Sequence, residues 1–188
     1  MTSHASNPAI FATIGTDHHQ FRRIIDWIDD FLDKHPDLAG DTVVQHGQSP
    51  ASRNARNTPF IEYKDLMETM RHATAVVTHG GPASIFESRA QGRLPIVVPR
   101  DPALHEIVDE HQQRFARHLA ADGLIVLCET QGSFFAALEA QLADPASAVV
   151  VEDGSRIEQA MNNLEAILQG LEHQPPLWRR FLPSLLQK

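Results

Sequence analysis

A-V-V-T-H-G-G-P-A-S-I-F-E, Ala75 to Glu87, sets a short apolar run against two glycines and then a helix-forming stretch. Apolar residues without alternation are the pattern of a strand covered on both faces. Gly80-Gly81 ends that strand in a tight turn, and Ala83 to Gln91 reads as the helix after it. The same order recurs outward in both directions. Ala9 to Ile14 is an apolar run ending at Gly15-Thr16-Asp17, which offers a turn and an N-cap. Phe21, Ile24, Ile25, Ile28, Phe31 and Leu32 then share one helix face. Asp41 to Gln45 reads as a second strand ending at His46-Gly47, and the Ser-, Asn-, Arg- and Pro-rich segment 48–59 as a surface loop. Phe60 to Tyr63 is expected as a short strand and Asp65 to His72 as a helix capped by Asp65. Leu94 to Val98 and Leu124 to Cys128 are further strands, with helices from about Val108 to Ala121 and Gly132 to Leu142. Strands alternating with helices predict an α/β domain: a Rossmann-like, three-layer αβα arrangement around a mostly parallel sheet.

Composition narrows the partners. A net charge of −8 argues against a nucleic-acid backbone, which is bound by clustered Lys and Arg. The one cysteine, Cys128, excludes an internal disulfide and reads as a buried inert thiol. No apolar run nears the roughly 20 residues of a membrane-spanning helix, and Met1 to Ala5 has no signal-peptide pattern. The chain is read as cytoplasmic. Ile157, Met161, Leu164, Leu168 and Leu171 mark another amphipathic helix. Residues 1–173 are expected to form the domain. Residues 174–188, opening on Gln174-Pro175-Pro176, are expected as an amphipathic helical tail carrying Trp178, Phe181, Leu182 and Leu185. That tail could close over its own domain, contact a partner or rest on a membrane surface.

In such folds ligands bind at the carboxyl ends of the strands, and the distinctive residues gather there: Gly15-Thr16, His46-Gly47, His79-Gly80-Gly81 and Pro99-Arg100-Asp101. Neither a dinucleotide G-x-G-x-x-G nor a P-loop is present. Gly80-Gly81 lets backbone approach a ligand, and N–H groups near Ala83 and Ser84 would face an anion such as a diphosphate. Glu87, one helical turn further, suits two sugar hydroxyls. The plain structural alternative is a turn followed by a Ser84-x-x-Glu87 capping box. Asp101, His105 and Asp109 stand four apart and could present metal ligands along a helix, although Pro102 interrupts that geometry, and no metal is expected. His111-Gln112 could instead begin a helix that turns its imidazole and amide toward a sugar. No nucleophile triad is evident; His18 and His19, at the first turn, are candidates to assist proton transfer, or plain surface residues.

The pieces V-V-T-H-G-G-P-A-S-I-F-E, G-R-L-P-I-V-V-P-R and E-H-Q-Q-R-F-A, with Ile14-Gly15-Thr16 and Phe60-x-x-Tyr63, resemble the C-terminal, donor-binding half of family 28 glycosyltransferases. The likeness covers about Ala9 to Leu127. It implies the C-terminal half of a GT-B glycosyltransferase that binds a UDP-sugar and needs no metal or other cofactor. By position, Glu87 would hold the ribose, with His79, Gly80, Gly81 and Ser84 at the diphosphate. Tyr63 would flank the uracil, His111 and Gln112 would meet the sugar, and Gly15 and Thr16 would line the cleft. Arg100 is a candidate to stabilise the departing UDP. Pro82 departs from the pattern, removing one N–H from the cradle.

The acceptor-binding half is absent from this sequence. The chain therefore resembles the short donor-binding subunit of split two-component enzymes, which implies a membrane-associated acceptor-binding subunit as partner. It also implies a peripheral place at the inner face of the membrane, and lipid-linked or exopolysaccharide acceptors. In isolation the chain could form a homodimer. A non-catalytic nucleotide-sugar regulator and a protein-interaction module on the same half-fold are the alternatives.

Overall fold

The computed structural model describes residues 7–151; the helix expected over residues 157–171 and the tail at 174–188 lie outside the described residues. Six strands form one all-parallel sheet: β1 (Ile10–Thr13), β2 (Thr42–Gln45), β3 (Arg56–Thr58), β4 (Ala75–Thr78), β5 (Ile96–Val97) and β6 (Val126–Leu127). Five helices flank it: α1 (Arg22–Lys34), α2 (Tyr63–His72), α3 (Pro82–Ala90), α4 (His111–Ala121) and α5 (Gln131–Ala143). The sheet order is β3-β2-β1-β4-β5-β6. Chain order therefore reverses between β1 and β4, the place where doubly wound sheets open a crevice for ligands.

Burial explains the layers. All four residues of β1 are buried, as are all four of β4. Successive side chains of a strand leave opposite faces, so Ile10 and Ala12 join Ile24, Ile28 and Phe31 of α1 and Phe134 and Leu138 of α5 in one core. Phe11 and Val76 pack on the other face with Met67 and Met70 of α2. Phe86 of α3 meets Phe115 of α4 edge-on, with ring centroids 6.2 Å apart. Cys128 is buried in the first core, and burial pushes its thiol up to about 11, out of reach of reactive thiolate chemistry at neutral pH.

Three expectations are corrected. The segment 48–59 contains a strand, because Arg56–Thr58 pairs with Val43–Gln45 at the sheet edge. Phe60 to Tyr63 is not a strand: Tyr63 is the first residue of α2, so Asp65 lies inside the helix rather than capping it. Asp17 does not cap α1, which begins at Arg22; the backbone N–H of Phe21 instead donates to Ser49 Oγ at 2.8 Å.

Candidate functional site

Two turns stand side by side at the carboxyl edge where the order reverses. Thr13 of β1 pairs with Thr78 of β4, so the turns beginning at Ile14 and His79 are neighbours. Gly15 has φ +81° and Gly80 φ +88°, the left-handed region that glycine enters without a Cβ penalty. The His79 ring is wedged between the turns. A Cβ on Gly15 would lie 3.0 Å from its Cε1, and one on Gly81 would lie 2.6 Å from its Nε2. Burial drives the His79 imidazole down to about 4, aided by the positive charge of Arg100 and opposed by the Thr13 backbone and Asp17. It is a neutral wedge at physiological pH, and its shielded Nδ1 makes no hydrogen bond of normal geometry.

α3 starts directly on this turn, with Gly81 as N-cap, no side-chain cap, and Pro82 in the first helical position. Proline has no N–H to offer there, so the cradle is left with the donors that follow it, at Ala83 and Ser84. The alternative, a Ser84-x-x-Glu87 capping box, does not form. Ser84 is inside the helix, and its hydroxyl donates to the Gly81 carbonyl at 3.0 Å. Glu87 is half-buried, and no hydrogen bond or ion pair engages its carboxylate among the described residues. Burial alone holds its carboxyl above the ordinary range.

Gln112 joins the same place from α4. Its Oε1 is buried without a partner among the described residues and would be 3.7 Å from a Cβ on Gly80. A shielded amide oxygen over a glycine turn is an acceptor waiting for a donor. His111 is exposed beside it; its N–H donates to Asp109 Oδ1 at 3.0 Å and its Nδ1 is 3.2 Å from Asp109 Oδ2. The proposed stripe of metal ligands is broken up. Asp101 accepts from the Ala103 N–H, His105 adopts a left-handed backbone, and Asp109 accepts from the N–H of His111, the first residue of α4.

Arg100 requires a correction. Its guanidinium is 2% exposed and donates to the carbonyls of Ile14, His19 and Glu106 at 3.0, 2.7 and 3.0 Å, over the Phe21 ring. A fork committed to three carbonyls is a clamp between loops, not a set of donors aimed at a ligand. Arg23 completes the clamp by donating to both Glu106 carboxylate oxygens at 3.0 and 2.7 Å. The Arg23–Glu106 pair was not foreseen, since 83 residues separate its members.

Thr16 is exposed on the first turn, and Tyr63 is 63% exposed at the start of α2 near Phe60, 61% exposed. Tyr63 shares the carboxyl edge but follows β3, about 14 Å of sheet away from β4. Asp17, His18 and His19 bring one ligand-type atom each within 4.8 Å of one another. Their tightest contact is Asp17 Oδ1 to His19 Nδ1, 2.7 Å. The signal for that pair was present in the sequence: an aspartate two residues before a histidine, the spacing of an Asx turn.

Comparison with known proteins bears on the family and the fold. The UDP-N-acetylglucosamine--N-acetylmuramyl-(pentapeptide) pyrophosphoryl-undecaprenol N-acetylglucosamine transferase of Stutzerimonas stutzeri is 31% identical over 102 residues, covering 54% of this chain and 27% of that protein. The enzyme of the same name from Azotobacter vinelandii is 30% identical over 119 residues, covering 60% of this chain and 32% of that protein. The chain thus spans about a third of the length of the curated relatives it matches. Among solved structures, a calicheamicin glycosyltransferase superposes with a TM-score of 0.54 at 17% identity, over 94% of this chain and 45% of that one. The glycotransferase of kitacinnamycin gives 0.53 at 18% identity, over 88% and 43%. These two share the fold, that of one half of a GT-B glycosyltransferase. The family model for the glycosyltransferase family 28 C-terminal domain matches residues 19–164, and the chain belongs to that family.

Proposed function

We propose that the chain is the donor-binding part of an inverting glycosyltransferase that uses a UDP-sugar. The observation that carries this is Glu87: a half-buried carboxylate with no partner among the described residues, one turn inside a helix that starts on the Gly80-Gly81 turn. A carboxylate repels a diphosphate, so its use beside one is to accept hydrogen bonds from the two ribose hydroxyls. The early N–H groups of α3 meet the diphosphate. Gln112 Oε1 accepts from a hydroxyl of the transferred sugar, with His111 at the rim, and Tyr63 flanks the uracil. Gly15 and Thr16 line the cleft. In this reading the departing UDP is stabilised by the helix start rather than by a metal ion.

Glu87, Gln112 and the start of α3 address the donor in this reading. The acceptor, a lipid-linked or polysaccharide hydroxyl, is held by a separate membrane-associated subunit, which keeps this chain at the cytoplasmic face. No helix among the described residues is long and apolar enough to cross a membrane.

Thermal unfolding with UDP, UMP or ADP, with and without magnesium, tests the reading. UDP at about a hundred times its dissociation constant adds roughly 2.7 kcal/mol, a rise on the order of 5 to 10 °C. The rise should be selective for UDP, indifferent to magnesium and much reduced in Glu87→Ala. A rise equal for UDP and ADP would overturn the uracil assignment, and one that survives in Glu87→Ala would overturn the ribose assignment.

A further inference from the structure

We propose that Glu106 is a positioning residue for sugar recognition: its buried carboxylate seats the segment after β5 and thereby places the start of α4. The inference rests on the UDP-sugar reading above. Between β5 and α4 the chain holds one short 3₁₀ turn, Pro102–Leu104. Apolar packing does little to seat this segment, since Leu104 and Val108 are exposed and Ile107 is only half-buried. From Asp101 to Glu110 the one buried residue is Glu106, 4% exposed. A carboxylate holds this segment where a leucine would hold another.

Its bonds run in two directions. Within the segment, Oε2 accepts the Asp101 N–H at 2.8 Å, and the Glu106 N–H donates to the Asp101 carbonyl at 3.2 Å, closing the turn on itself. Toward α1, Arg23 Nε donates to Oε1 at 3.0 Å and Arg23 Nη2 to Oε2 at 2.7 Å. The same Nη2 donates to the Pro99 carbonyl at 2.8 Å. A two-pronged guanidinium–carboxylate pair fixes direction as well as distance. Arg23 is itself held over aromatic rings, 4.9 Å from the Trp27 centroid and 5.2 Å from that of Phe21.

That direction bears on the site. β4 lies between β1 and β5 in the sheet, so an anchor on α1, the helix after β1, draws a segment that leaves β5 back toward the end of β4. The turn at that strand end carries Gly80, and Gln112 Oε1 lies beside it. Residues 107–110 alone separate Glu106 from His111, the first residue of α4. Over so short a span, the seat of Glu106 sets where α4 begins and where Gln112, its second residue, stands. Gly80-Gly81 and Glu87 belong to the end of β4 and to α3, which the Arg23–Glu106 pair does not hold. Loosening the pair should therefore cost the sugar contact and spare the nucleotide contacts.

Calorimetric titrations with UDP, UDP-N-acetylglucosamine, UDP-glucose and UDP-galactose test this. They compare the wild-type chain with Glu106→Asp, Arg23→Lys, Gln112→Ala and the double variant Glu106→Asp/Gln112→Ala. A buried charge stripped of its partner can unfold a domain, so both variants of the pair keep the charge and change only its reach or its fork. For the UDP-sugar that the wild type binds best, each single variant should lose about tenfold in affinity, while UDP stays within about twofold. The double variant should lose no more than Gln112→Ala alone, because Glu106 acts through Gln112. Hydrogen exchange should quicken at the Asp101 and Glu106 amides in Glu106→Asp and Arg23→Lys. If Glu106→Asp does not fold, Arg23→Lys with and without Gln112→Ala decides in the same way. UDP and UDP-sugar affinities that fall together would make the pair merely structural and overturn the proposal. Losses that multiply in the double variant overturn it as well, as does a Gln112→Ala chain that binds every sugar like the wild type. A wild-type chain that binds no UDP would instead remove the UDP-sugar reading itself, and the positioning role with it.

Discussion

Asp29 and Glu87 are two partly or wholly buried carboxylates on helices of the same sheet, and they are treated in opposite ways. Asp29, on α1, is 2% exposed, and both of its oxygens are occupied. Ser52 Oγ donates to Oδ1 at 2.5 Å, the Arg53 and Asn54 N–H groups donate at 3.0 and 3.3 Å, and Arg53 adds its Nε to Oδ2. That carboxylate folds the segment before β3 onto α1. Glu87, on α3, has no partner among the described residues and bears the cost of burial in a raised pKa. Charge that is fully satisfied builds the scaffold; charge that is left unsatisfied at a cleft is what a ligand completes. The Arg100–Glu106–Arg23 clamp falls on the first side of this division, and the Gln112 amide oxygen on the second.

The largest expected effect breaks the scaffold side. Asp29→Ala leaves the donors of Ser52, Arg53 and Asn54 unpaired and should destabilise by about 3 kcal/mol, read in urea unfolding. The UDP affinity of the folded protein should stay within about twofold. A comparable loss of affinity would mean that the two carboxylates are not separate in function.

The next effect is a pH dependence at the wedge between the turns. His79 titrates near 6.5 when unfolded and near 4 when folded, so below 6.5 the unfolded chain takes up a proton that the folded one refuses. Its contribution is complete above pH 6.5 and is lost as the pH falls toward about 4, reaching on the order of 3 kcal/mol. Denaturant midpoints measured between pH 7 and 4 should show this slope, and His79→Gln should lack that part of it.

The smallest effect on stability belongs to Glu87. A raised carboxyl pKa penalises folding once the pH climbs past the unfolded value of 4.5, so Glu87→Gln should leave stability at neutral pH unchanged or up to about 0.5 kcal/mol higher. Its UDP affinity should drop by about tenfold to a hundredfold, the worth of hydrogen bonds to a charged acceptor. A variant that is less stable yet binds normally would move Glu87 to the scaffold side.

The apolar runs foretold β1, β4 and their helices closely, because strands buried on both faces need continuous hydrophobic side chains. β3 escaped notice for the converse reason. Arg56-Asn57-Thr58 lies at a sheet edge, half in water, held by its ladder to β2 rather than by a core. The two-residue extent of β5 was equally hidden, since Leu94 to Val98 is apolar throughout and only hydrogen bonding decides where the ladder stops.

By itself the sequence determined the order of elements, the parallel sheet they imply, the glycine turns at strand ends, and a motif set specific enough for the family. These are local properties: periodicity, left-handed turns and residue spacing. Only the tertiary structure decided which polar groups are spent. Whether Arg100 faces a ligand or three carbonyls, and whether Ser84 and Glu87 cap a helix or wait beside it, depends on what the fold brings within 3 Å. Hydrogen-bond satisfaction is a short-range sum over neighbours distant in sequence, and no pattern along the chain encodes it.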